Sequence, residues 1–145
     1  MLGAAVGTSH AYGGDMIARR YQDLVCWQLA DELKRRVYAF TPVPPAKRDS
    51  EYCSQIRRSA RSGPSNISEG FGRFRPAEFV RFLEYARASL IETQNHLGDG
   101  RDLDYLSETW RTELNVIADR AIGATTNLLK YQLSFVKRSV RTTRS

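Results

Sequence analysis

Cysteine, histidine and strand-like alternation are all scarce in this chain of 145 residues, and each scarcity closes off a class of function. The two cysteines, Cys26 and Cys53, each sit inside an apolar pattern of helical spacing, with no second Cys or His at ligand spacing. That pattern supports neither a disulfide framework nor a Cys/His zinc site, and it fits free thiols in a reducing compartment. Histidine is equally sparse: His10 lies near the start, and His96 follows Glu92 by four residues with no nucleophile or third ligand nearby in sequence. Glu92, Asp99, Asp102 and Asp104 crowd together, but Asp99 to Asp104 lacks the remainder of a calcium loop and its terminal glutamate. No Glu-x-x-His pair points to a di-iron bundle. No segment alternates apolar and polar residues at period two for long enough to make a strand, so there is also no strand-borne phosphate loop. The expectation is a protein that is not an enzyme, with no catalytic set, no metal and no cofactor.

Long hydrophobic runs are missing too. None approaches the ~20 residues of a membrane span, and the start lacks the basic and apolar regions of a signal peptide. A soluble cytoplasmic protein without a membrane partner is expected. Residues 1–15 are rich in Gly and Ala without any period and read as a disordered leader, with Met16 as an alternative start.

Positive charge, by contrast, is abundant and uneven. The net charge is +6. Lys130, Lys137, Arg138, Arg141 and Arg144 fall near the end of the chain with no acid among them. A second excess runs from Arg57 to Arg87, where the arginines face only Glu69, Glu78 and Glu84. Both regions suit contact with a polyanion.

Four stretches carry apolar residues at helical period. Cys26, Leu29, Ala30, Leu33, Val37 and Phe40 predict a first helix from Asp23 to Phe40, ended by Thr41-Pro42-Val43-Pro44-Pro45. Tyr52, Ile56, Ala60, Gly63 and Ile67 predict a second from about Asp49 to Glu69. Asp49 or Ser50 would cap it, Pro64 would kink it, and Gly70 and Gly72 would stop it. A third starts at Pro76, buries Phe79, Leu83, Ala86, Leu90, Thr93 and Leu97, and closes at Gly98-Asp99-Gly100. The fourth, from Ser107 to about Arg138, carries Trp110, Leu114, Ile117, Ala121, Ala124, Leu128, Tyr131 and Phe135 on one face. At 1.5 Å per residue it is roughly 45 Å long, so its last turns project beyond its neighbours. The fold class expected is all-α: an antiparallel up-down-up-down four-helix bundle over residues 16–138, with a kinked second helix and a basic tail over 139–145.

The most specific stretch is Gln55 to Glu92. It contains Gln55-Ile56-Arg57-Arg58-Ser59-Ala60, Asn66-Ile67-Ser68-Glu69-Gly70, Glu78-Phe79 and Arg81-Phe82-Leu83, followed by Ala86, Ser89-Leu90 and Glu92. With Tyr21-Gln22-Asp23-Leu24, Trp27 and Asp104-Tyr105-Leu106, this ordered set resembles the bacterial four-helix-bundle proteins called ribosomal-RNA intervening-sequence proteins. These are relatives of the accessory protein of diversity-generating retroelements. The resemblance covers roughly Tyr21 to Leu133. It implies a bundle assembled as a homo-oligomer, commonly a ring of five. For the retroelement relatives it implies a basic ring that engages a reverse transcriptase and nucleic acid. The chain departs from the family at three places. Gly63 stands where Ile or Val is usual and Ser68 where Ala is usual, which implies looser packing around the second helix, and Arg75-Pro76 replaces a Ser/Thr cap.

Two constellations are candidate sites. Arg57, Arg61, Arg73, Arg75, Arg81 and Arg87, interleaved with Phe71, Phe74 and Tyr85, combine phosphate-neutralising and base-stacking groups suited to RNA or DNA. Lys137, Arg138 and Arg141 extend the same chemistry to the C-terminal end. Arg58, Ser62, Asn66, Glu69 and Arg73 instead form a polar stripe on the second helix. Its readings are a solvated or inter-helix face, a subunit interface, or a ligand site. The functional expectation is a non-catalytic oligomeric bundle that binds nucleic acid or a nucleoprotein partner. The alternative is an assembly or adaptor protein whose arginines serve protein interfaces.

Overall fold

The computed structural model describes residues 18–144 and contains four α-helices: α1 (Val25–Phe40), α2 (Ser50–Phe71), α3 (Pro76–Asp102) and α4 (Glu108–Thr142). Short 3₁₀ turns at Tyr21–Asp23 and Ala46–Arg48 precede α1 and α2, and no strand occurs among the described residues. Each helix packs on its neighbours in sequence, and α1 closes against α4. The result is the antiparallel four-helix bundle the apolar periods call for. The expected leader lies outside the described residues.

Side chains from all four helices meet in one core. Leu33 of α1, Ile56 and Ile67 of α2, Leu83 and Leu90 of α3, and Leu114 and Leu128 of α4 are all essentially inaccessible. Burying each such side chain contributes about 1.5–3 kcal/mol, so the core alone accounts for why these helices associate. On α4, Leu114, Ile117, Ala121 and Leu128 are buried, but Ala124, Tyr131 and Phe135 are only half-buried. Trp110 lies at the rim, its ring edge-on to Phe40 at 6.4 Å.

Helix ends depart from expectation for identifiable reasons. α1 begins two residues later than Asp23. The Asp23 carboxylate instead accepts from the Arg19 and Arg20 amides at 3.1 and 3.3 Å and closes the preceding 3₁₀ turn. Asp49 caps α2 as expected, accepting from the Tyr52 amide at 3.0 Å, and Pro64 does not interrupt the helix. Gly72 ends α2, whereas Gly70 lies within it. A Cβ on Gly70 would stand 2.8 Å from the Phe82 Cβ, so this glycine is there for the approach of α3.

The Gly98-Asp99-Gly100 stop is corrected most clearly. α3 continues through both glycines to Asp102. The left-handed position that terminates it is Asp104, at φ 59°. The Tyr105 amide donates to the Gly100 carbonyl at 2.7 Å and the Asp104 amide to the Arg101 carbonyl at 3.0 Å, the paired bonds of a Schellman cap. Gly100 is needed elsewhere: a Cβ there would collide with the Tyr52 hydroxyl.

The looser packing expected around Gly63 is also not found. Leu90 fills the space, lying 3.1 Å from where a Cβ would be, with Ala30 of α1 at 3.8 Å. At its far end α4 runs four residues past Arg138, so Lys137, Arg138 and Arg141 are all helical.

Candidate nucleic-acid interface

The antiparallel topology sorts the bundle into two ends. The α2–α3 loop and the C-terminus of α4 share one end; the α1–α2 linker and the α3–α4 loop share the other. The register of α3 against α4 is marked by Arg87 Nε donating to Thr126 Oγ1 at 3.0 Å and Gln94 Nε2 donating to Asp119 Oδ1 at 2.6 Å. That register sets Lys137 level with Pro76. From there α4 continues to Thr142, ending about 8 Å beyond the start of α3, with Arg138 and Arg141 on this last stretch.

The candidate cations fall into three groups. At the loop end, Arg75 is exposed beside Phe74, which is 74% exposed, and Lys137, Arg138 and Arg141 are exposed above them on α4. None of these four cations makes an ion pair among the described residues, and Arg138 rests over the Phe135 ring at 5.9 Å. Arg73 belongs to the same end but is engaged. It binds Glu69 at 2.7 Å, approaches Glu78 at 3.9 Å and covers the Phe82 ring at 5.0 Å. Glu69 opposes the dipole at the end of α2, and Arg73 offsets this although the helix stops at Phe71.

On the outer face of α3, Arg81 donates to the Tyr85 hydroxyl at 2.8 Å, while Arg87 is tied to Thr126. The third group is on α2. Arg57 lies over the Tyr38 ring of α1 at 4.5 Å, and with Arg61 it lines an open groove of about 520 Å³. Thr41, Lys47, Ser50 and Ser54 add to the polar lining, and no carboxylate takes part. The Cys53 thiol lies in this groove, 3.1 Å from the Ala46 carbonyl; burial pushes its pKa up.

The polar stripe of α2 divides. The Ser89 hydroxyl of α3 donates to Ser62 Oγ at 2.8 Å, and Asn66 Nδ2 donates to Ser62 Oγ at 2.9 Å, so these residues bond within the α2–α3 seam. Arg58 points outward and is exposed. The sequence reading missed Lys47 and Tyr38. The signal for them was partial: Ser50, Ser54, Arg57 and Arg61 follow one helical face, but nothing local places Tyr38 against it.

His96 sits at the linker end beside an acidic cleft of about 390 Å³ that includes Asp49, Glu51, Asp99 and Asp102. Its ring is 3.5 Å from Glu92 and 3.9 Å from Asp99, and its carbonyl accepts from the Tyr52 hydroxyl at 2.7 Å. The Tyr105 hydroxyl donates to Asp49 at 2.7 Å, and this bond, with that of the Tyr52 amide, holds the Asp49 pKa below its ordinary value. Burial drives the Tyr52 pKa upward. Among the described residues no group of three or more His, Cys, Asp or Glu is placed to hold a metal ion.

Residues 22–126 match the family described as 23S rRNA-intervening sequence protein. The chain belongs to that family. The match takes in α1, α2, α3 and the first half of α4, and so spans the core; the projecting basic turns of α4 lie beyond it. No curated protein is similar enough to the 23S rRNA-intervening sequence chain to count as a relative. No helix among its described residues is long and apolar enough to cross a membrane.

Proposed function

We propose that this 23S rRNA-intervening sequence protein is a non-catalytic, oligomeric bundle that binds nucleic acid, or a nucleoprotein containing it, through its basic surfaces. The observation that carries the reading is the loop end of the bundle. Arg75, Lys137, Arg138 and Arg141 gather there, exposed and without ion pairs among the described residues, beside the exposed ring of Phe74. Unpaired cations release counterions from a phosphate backbone, and a free aromatic face accepts an unstacked base. The family description supports RNA as the setting, since it names an intervening sequence of 23S rRNA.

The test is fluorescence anisotropy of labelled single-stranded and hairpin RNA at several salt concentrations. Affinity is expected to fall linearly on a log-log plot, with a slope of about −0.7 per phosphate neutralised on single strands. Replacing Arg75, Lys137, Arg138 and Arg141 with Gln flattens that slope. No binding at low salt would sink the proposal.

A second reading, an adaptor that meets another protein, draws support from Ile91 on α3 and Val116 on α4, which are 41% and 52% exposed. Arg57→Glu with Arg61→Glu separates the two in light scattering. An assembly that dissociates favours the adaptor, while an intact assembly that loses RNA favours nucleic-acid binding.

A further inference from the structure

The groove between the end of α1 and the first half of α2 is chemically unlike the rest of its end of the bundle. An acidic cleft lies at that end, yet Lys47, Arg57 and Arg61 line this groove and no carboxylate does. The acid at α2's cap, Asp49, stays outside the lining, holding the Tyr52 amide and the Tyr105 hydroxyl. Cations lining one groove with no carboxylate in its walls give a local positive field that favours an anion seated there.

Geometry narrows the anion. The Arg57 guanidinium lies 4.5 Å above the Tyr38 ring, and the residue remains exposed. Stacking on Tyr38 limits the rotamers of Arg57, which reduces the entropy lost when a ligand binds. A planar guanidinium supported from beneath is a surface on which an unpaired base stacks. The volume of about 520 Å³ falls within the range of small-molecule sites and is too confined for a duplex. Ser50 and Ser54 supply hydroxyls at the groove's wall.

We infer that this groove seats one unpaired nucleotide of a single strand, its base stacked on Arg57 and its flanking phosphates met by Lys47 and Arg61. The inference rests on the nucleic-acid reading above and assigns it a second, structurally separate contact. Cys53 provides a reporter. Cys26 is buried, whereas Cys53 is partly exposed within the groove, so a seated nucleotide shields it from alkylation.

The experiment uses the full chain and a short single-stranded RNA, with a hairpin of matched composition as comparison. Binding is followed by anisotropy and by the rate of Cys53 alkylation. Arg57→Lys keeps the charge and removes the plane; Tyr38→Leu removes the support and keeps the charge. Each is expected to weaken single-strand binding, by roughly fivefold to a hundredfold if the full stack is lost, with the salt slope unchanged. Lys47→Gln and Arg61→Gln are expected to flatten the slope, and the single strand slows Cys53 alkylation more than the hairpin does. Wild-type affinity in Arg57→Lys, with Cys53 unprotected while RNA still binds, overturns the groove and leaves the loop-end reading intact. Equal protection by the hairpin overturns the single-strand assignment. Equal protection by free nucleoside monophosphate overturns a strand as the occupant. Failure of the wild-type protein to bind any RNA overturns both readings.

Discussion

Replacing Gly70 with alanine tests how closely α2 and α3 meet. The added Cβ would lie 2.8 Å from the Phe82 Cβ and 2.9 Å from the Phe79 Cδ1. The first of these atoms is fixed to the backbone of α3, so relief requires the helices to separate. The second belongs to a ring that is 2% exposed and packed edge-on against Phe71 at 6.4 Å. Overpacking of this kind costs about 1–3 kcal/mol, and the anchored neighbour places Gly70 near the top of that range. Alanine is better than glycine in a helix by about 1 kcal/mol, which leaves a net loss of about 2 kcal/mol.

Gly123 is the matched control. It lies inside α4, and a Cβ there meets nothing within 4 Å. The same substitution should therefore stabilise the protein by about 1 kcal/mol. Urea unfolding followed by far-UV circular dichroism, at equal protein concentration, reads both. With a slope of about 2 kcal/mol per molar, the midpoint falls by about 1 M for Gly70→Ala and rises by about 0.5 M for Gly123→Ala. A Gly70→Ala protein as stable as wild type, with unchanged slope, would refute the close approach.

Other outcomes follow from local chemistry. Asp49 has its pKa lowered on folding, first by the Tyr105 hydroxyl and then by the Tyr52 amide, so its contribution is fully present above the ordinary carboxylate value of about 3.9. That contribution is lost as pH falls through the depressed value, and Tyr105→Phe should shift the Asp49 titration upward in an NMR experiment. Burial pushes the Cys26 thiol up to about 12, so native protein should be alkylated at Cys53 well before Cys26, and unfolding should remove the difference. Asp104→Asn keeps a side chain that tolerates φ 59° and removes a negative charge from the end of α3. A gain of about 0.5 kcal/mol in urea unfolding is expected.

The faces of the helices were legible because burial in a bundle imposes a period of 3.6, and Ile56, Ala60 and Ile67 announce it without help from tertiary structure. Glycine was less legible because it has two uses that look alike in sequence. Gly98 and Gly100 read as a stop, but Gly100 makes room for Tyr52 while Asp104 adopts the left-handed turn. The candidate interface was legible only where partners are local. Glu69 and Arg73 are four residues apart, and their pairing could be anticipated. Arg57 over Tyr38, with Lys47 from the linker, joins residues across a proline-rich turn, and no periodicity encodes that approach.

The two basic surfaces make a final separable prediction. Arg61 lies ten residues before the end of α2, or about 15 Å from the loop end along the helix. This exceeds the Debye length of about 8 Å at physiological ionic strength, so the loop end and the groove act as nearly independent fields. A strand too short to reach both should respond to one set of substitutions only. A longer strand that crosses both should lose about 0.7 from its salt slope for each phosphate contact removed, and the losses from Arg61→Gln and Arg141→Gln should add. If instead either substitution abolishes binding of the long strand outright, the two surfaces form one cooperative site and their independence is wrong.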